Sequence, residues 1–140
     1  MKLAEIASVS GKGGLFKVIA STKSGLVLES LDEAKTKLVA TGNHRISILH
    51  EISIYTTTKE GTVPLGDVLK KIHEAYGNDP GVDADSDASE LKSFLKSVVP
   101  DFDDTRVYVS DMKKLVRWYS LLVKYAPELF EPKNENENIE

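Results

Sequence analysis

The sequence predicts an α+β fold, a small SH3-like β-barrel at the N-terminus packed with a C-terminal three-helix module. Three observations predict it. Over residues 15–57, short β-branched apolar runs alternate with polar or Gly-containing turns. In three later segments, apolar residues recur at helical spacing. The two halves, 1–58 and 62–127, are each of a size that buries only about 60% of its unfolded surface and is marginal alone, so they are expected to pack on each other.

The elements follow in order. Leu3, Ile6 and Ala7 suggest one short helical turn before "SGKGG" (10–14), where Gly11, Gly13 and Gly14 let the chain stop and reverse. "LFKVIAST" and "LVLESL" flank "KSG", a hairpin signal. Phe16, Val18 and Ala20 are expected on one face of the first of these strands, and Leu15, Lys17, Ile19 and Ser21 on the other. "DEAK" (32–35) and "GNHR" (42–45) are turns around a third strand, "TKLVAT". "ISIL" (46–49) is a short apolar segment, and "ISIYTT" closes the barrel with Ile52 and Ile54 on one face. Four or five short strands suit a barrel of SH3-like or OB-like type.

After residue 58 the period changes to helical. Leu65, Val68, Leu69, Ile72 and Tyr76 share one face, with Pro64 at the start and Gly77 at the stop. In "DASELKSFLKSVVP", Asp87 caps, Glu90 sits three residues later, and Leu91, Phe94, Leu95, Val98 and Val99 form the buried stripe. Ser110 is expected to cap the third helix. There Met112, Val116, Tyr119 and Val123 lie beside a second apolar stripe, Leu115, Trp118, Leu122 and Tyr125. A face that wide needs more than one partner. Trp118, Tyr125 and Leu122 are therefore the expected partner or self-association surface.

Charge is uneven. Residues 1–58 carry seven Lys/Arg and five Asp/Glu (+2), residues 59–127 ten and twelve (−2), and residues 128–140 one and five (−4). The segment 128–140 is acidic and expected to be disordered. The overall −4 thus leaves room for a basic face. The absence of cysteine excludes disulfides, thiol nucleophiles and Cys-ligated zinc. With no signal-peptide pattern and no apolar run near the roughly 20 residues that span a bilayer, a cytoplasmic, non-membrane protein is expected.

Motifs for chemistry fail when tested. Lys12-Gly13-Gly14-Leu15 with Lys17 matches part of a phosphate loop, but Phe16 stands at the third glycine position and Val18 at the metal-binding hydroxyl position. Asp83, Asp85 and Asp87 fall at calcium-loop positions, yet Ala88 replaces the required glycine and Phe94 the bidentate glutamate. "HEAYG" (73–77) opens like a zinc-protease motif and has Gly77 in place of the second histidine. His44 and His50 have no nucleophile or carboxylate at local spacing. No catalytic residue, cofactor or metal is assigned.

Basic residues offer a second binding feature. Lys113, Arg117 and Lys124 share a helix face, with Lys114 nearby. In the β half, Lys12, Lys17, Lys23, Lys35, Lys37 and Arg45 outnumber the nearby acids. Of these, Lys12, Lys17, Arg45, Lys113 and Arg117 are the candidate nucleic-acid contacts, with aromatic platforms sparse in the β half.

The segments "SGKGGLFKVIASTKSGLVLESLD", "LHEISIYT", "VPLGDVLKKI" and "VVPDFDDTRVYVSDMKKLVRWYSLL" resemble the bacterial domain of unknown function 5606 family. The resemblance runs in order to about residue 125. It implies a small β domain followed by helices, and brings no assigned activity, ligand or catalytic residue. Three functions are then expected in order: a non-enzymatic protein-interaction module, self-associating or partner-binding through a surface that includes Trp118 or its neighbours; an RNA- or ribosome-associated binder using the basic barrel face; and an enzyme whose site is assembled from distant residues.

Overall fold

The computed structural model describes residues 2–42 and 44–130. A 3-10 turn, Leu3–Glu5, leads into β1 (Ile6–Val9), followed by β2 (Phe16–Thr22), β3 (Gly25–Ser30), β4 (Lys37–Ala40) and β5 (Ile46–Ile48). These form one antiparallel sheet in the order β4-β3-β2-β1-β5. A second 3-10 turn, Leu49–Glu51, precedes a separate hairpin of β6 (Ser53–Tyr55) and β7 (Thr62–Pro64). Three helices follow: α1 (Leu65–Tyr76), α2 (Ala88–Val98) and α3 (Val109–Tyr125).

The fold is α+β as expected, but the sheet is open and does not close into a barrel. β4 and β5 are its two free edges. The strand expected to close it, β6, pairs instead with β7, with Ile54 opposite Val63. Leu49 explains the diversion. It is fully buried in the core shared with the helices, so the chain leaves the sheet at that point. Ile6 and Ala7 belong to a strand, not to a helical turn, because β1 fills the slot between β2 and β5, where strand pairing outweighs local preference.

β1 separates two cores. Ile6 joins Leu15, Leu31 and Leu49 in a large core completed by Leu69, Ile72, Leu91, Leu95, Met112, Tyr119 and Leu122 from the three helices. Val9 points the other way, into a small cluster with Phe16, Leu28 and Ala40. Both faces of the strand are thus covered, and Ile6 and Ala7 are fully buried. Val18 pairs with Leu28 on the small-core face, but the register shifts between Val18 and Ala20, so Ala20 lies opposite Val27. This bulge turns Ala20 away from the face that strict alternation gives it.

Local signals hold well in the helices. Pro64 and Gly77 bracket α1, with Gly77 at φ 65° and its amide donating to the His73 carbonyl at 2.9 Å. The Asp87 carboxylate accepts from the Glu90 amide at 2.9 Å and caps α2, which holds its pKa below the ordinary carboxylate value. The start of α3 differs from expectation. It begins at Val109, and Asp111, not Ser110, ties the entry by accepting from the Tyr108 amide at 2.9 Å. A 3-10 turn, Pro127–Phe130, includes the first residues expected in the acidic tail. Phe130 stacks on His73 at 4.9 Å between ring centroids and meets the edge of Tyr119 at 5.4 Å. Residues 131–140, the rest of that tail, lie outside the described residues, as does Asn43 in the turn before β5.

Gly25 is where the β-sheet admits no side chain. Its φ is 152°, and a Cβ placed there would stand 1.9 Å from the Ala40 carbonyl oxygen on the neighbouring strand. Gly25→Ala is expected to cost about 1–3 kcal/mol through this backbone overlap, read as a lower urea midpoint with an unchanged slope.

Candidate functional site

The β1 to β5 ladder continues past its last strand pair. Ser8 lies opposite Ser47 and Val9 opposite Ile46, and the Ser10 amide then donates to the Arg45 carbonyl at 2.8 Å. This bond holds the "SGKGG" turn beside the loop that carries Arg45. The Lys12 amide closes the turn on the Val9 carbonyl at 3.0 Å, with Gly11 at φ 81° and Gly14 at φ 80°. Only glycine takes such angles readily, so the turn presents backbone with little side-chain cover except Lys12.

α3 faces this turn. Its core side is Met112, Leu115, Val116, Tyr119 and Leu122, all buried. One flank over, Lys113 and Arg117 are a turn apart, and so are Lys114 and Trp118. Between the glycine turn and this flank lies a cleft of about 610 Å³. Lys12, Arg45, Lys113, Lys114 and Arg117 line it, together with Ser8, Ser10, Ser47, Ile52 and Trp118. Asp85, from the α1–α2 loop, is the one carboxylate among the lining residues. Among the described residues none of the five cationic side chains forms an ion pair. Grouping like charges at helical spacing without partners disfavours the helix slightly.

The cleft therefore collects residues more than 100 positions apart. Of the five nucleic-acid candidates read from the sequence, it unites Lys12, Arg45, Lys113 and Arg117. Lys17 lies elsewhere, on β2 between Ile6 and Glu29 in the ladder. The partner-surface trio divides as well. Leu122 is fully buried and fills the core, because the C-terminal half of α3 packs against the rest of the fold. Tyr125 is half-buried beneath Lys124, whose ammonium stands 5.2 Å from the ring centroid. Trp118 is half-buried and lines the cleft. Lys114 and the three serines were not singled out as contacts by the sequence. Ser8 and Ser47 become visible only when β1 is recognised as a strand, since the ladder sets them face to face.

The aspartates of the α1–α2 loop have local duties. Asp83 accepts from the Asp85 amide at 2.8 Å, and Asp87 caps α2. Among the described residues no group of three or more His, Asp or Glu is placed to hold a metal ion, and no helix is long and apolar enough to cross a membrane.

A family model described as Domain of unknown function (DUF5606) matches residues 3–49, and a second, Domain of unknown function (DUF6852), matches residues 52–122. The chain belongs to the DUF6852 family, whose model spans half of it, and its N-terminal third is DUF5606-like. A solution NMR structure from Bacteroides vulgatus, a structural-genomics target, is similar at 33% identity and a TM-score of 0.67, covering 89% of this chain and 88% of that one. No curated protein matches. In this DUF6852 protein the two matched segments meet at the cleft. Ser8 to Gly14, Arg45 and Ser47 come from the first, and Ile52, Asp85, Lys113, Lys114, Arg117 and Trp118 from the second.

Proposed function

We propose that this protein is a non-catalytic RNA-binding module that grips strand phosphates in the cleft between the glycine turn and α3. One observation carries the reading: Lys12, Arg45, Lys113, Lys114 and Arg117 converge on a single cleft. Five cations against one carboxylate make a concentrated positive field there, although the chain as a whole is acidic. The serine hydroxyls and the open backbone of the glycine turn add donors of the kind that position phosphate oxygens. The site differs from the barrel face expected from the sequence, since three of its five cations come from α3. The protein-interaction reading is weakened because Leu122 is buried and Trp118 opens onto the basic cleft.

The test is a salt titration with a short single-stranded RNA. Neutralising phosphates releases counterions, and log K falls with log salt at about −0.7 per phosphate for a single strand. Engagement of three to five cations predicts a slope of roughly −2 to −3.5. A slope near zero, or no RNA retained at low salt, would sink the proposal.

A further inference from the structure

Beyond the phosphate cleft lies a second, smaller cavity of about 230 Å³. Its walls are largely apolar, with Ile54, Leu65, Leu95, Val107, Met112 and Leu115 among them. It is continuous with the cleft in its lining, because Ile52, Lys114 and Trp118 belong to both. Trp118 thus stands between the cationic cleft and a smaller, more apolar cavity. Among the described residues its ring has no aromatic partner and its indole nitrogen no hydrogen-bond partner. A half-buried indole in such a place offers an open π-face to whatever enters from the cleft.

A ligand that satisfies both chambers carries an anionic group and, one short linkage away, a flat apolar body. An RNA strand has this construction at every unpaired nucleotide. Its phosphate seeks the lysines and arginines, and its base can swing off the backbone to stack on an aromatic ring. A base held in a duplex cannot do this, since both its faces are already stacked and its pairing edge is occupied. Lys114, which lines both chambers, sits where the phosphate and the base of one nucleotide would join. Polar side chains also line the small cavity, Ser53, Arg106 and Asp111, the last already accepting from the Tyr108 amide through one carboxylate oxygen.

We infer that the small cavity is a base subsite, in which an unpaired RNA base stacks on Trp118 while its phosphate lies in the basic cleft. The inference rests on the RNA reading of that cleft and adds to it selectivity for single strands. Phosphate contacts alone would not give that preference, because a duplex presents the denser charge.

Trp118 is the sole tryptophan, so its fluorescence reports this subsite directly. The full-length protein is titrated with a single-stranded oligoadenylate RNA, the same strand annealed to its complement, and inorganic polyphosphate. The single strand is expected to quench Trp118 and to bind about ten-fold or more tighter than either other probe. With labelled RNA read by anisotropy, Trp118→Leu is expected to weaken the single strand about ten-fold, within the range set by stacking of one base. It should weaken polyphosphate far less than the single strand, and Trp118→Phe should recover most of the single-strand loss by keeping a ring. If the three probes bind alike and Trp118→Leu changes none of them, the base subsite is wrong while the phosphate cleft stands. If none of them binds at low salt, the cleft reading has failed and the subsite falls with it.

Discussion

Tyr119→Ala is expected to destabilise the protein by about 3–5 kcal/mol, the range for removing a large buried aromatic side chain. Tyr119 has no exposed surface and sits in the large core among residues of all three helices. Its hydroxyl donates to the carbonyl of Gly77, the residue that ends α1, so it ties α3 to the end of α1. Phe130 packs edge-on against its ring, which adds the 3-10 turn after α3 to the same joint. Truncation opens a cavity at a place where three elements meet and leaves the Gly77 carbonyl without that donor. A fall in melting temperature of roughly 10–20 °C corresponds to this loss for a domain of this size. Tyr119→Phe keeps the volume and is expected to cost about 1–2 kcal/mol through the lost hydrogen bond alone. A phenylalanine variant as damaged as the alanine variant would show that packing is not the dominant contribution.

Tyr119 also carries a pH dependence whose sign follows from its burial. Burial holds its phenol above the ordinary value of 10.0. In the unfolded chain the group ionises near that value while the folded one keeps its proton. Its contribution is therefore complete below about pH 10 and is lost as pH rises further. Urea unfolding from about pH 9 upward should show a steeper decline for the wild type than for Tyr119→Phe.

The second large effect is functional. Lys113→Glu combined with Arg117→Glu is expected to weaken RNA binding at least about 100-fold, since like-charge juxtaposition at an interface costs several kcal/mol. The two residues are one helical turn apart on the cleft flank of α3 and both are exposed. Among the described residues neither has an ion-pair partner to lose. Folding stability should accordingly stay within about 0.5 kcal/mol, as for other surface changes. The milder pair Lys113→Gln and Arg117→Gln should make the salt slope shallower by about 1.4, two phosphates' worth. Gel-shift or anisotropy titrations across salt concentrations measure both. Unchanged affinity in the charge-reversed protein would remove α3 from the interface.

The sequence was most legible where structure is local. Pro64, Gly77 and Asp87 mark helix ends through their own backbone chemistry, and the structure uses them there. The buried stripes of α1 and α2 follow helical spacing, which depends on nothing beyond the segment itself. The strands were less legible. Ile6 and Ala7 read as a helical turn because four residues carry too little period to distinguish strand from helix, and only pairing with β2 and β5 decides the matter. The bulge after Val18 was invisible for the same reason, since alternation alone has no means of counting an inserted residue. On α3, eight apolar positions formed two adjacent stripes, and no rule of spacing told which would be core. The structure buries Leu122 completely and leaves Trp118 half-exposed in the cleft.

By itself, then, the sequence determined the α+β class, the three helices, the caps at Pro64, Gly77 and Asp87, and most of the basic residues that line the cleft, because periodicity, capping and charge are written within a few residues of each other. Only the tertiary structure decided that the sheet stays open and that β6 leaves it for a hairpin with β7. It alone decided that Lys12 and Arg45 face Lys113, Lys114 and Arg117 across one cleft. Those residues are distant in the chain, and their meeting depends on how β1 and α3 pack around a shared core.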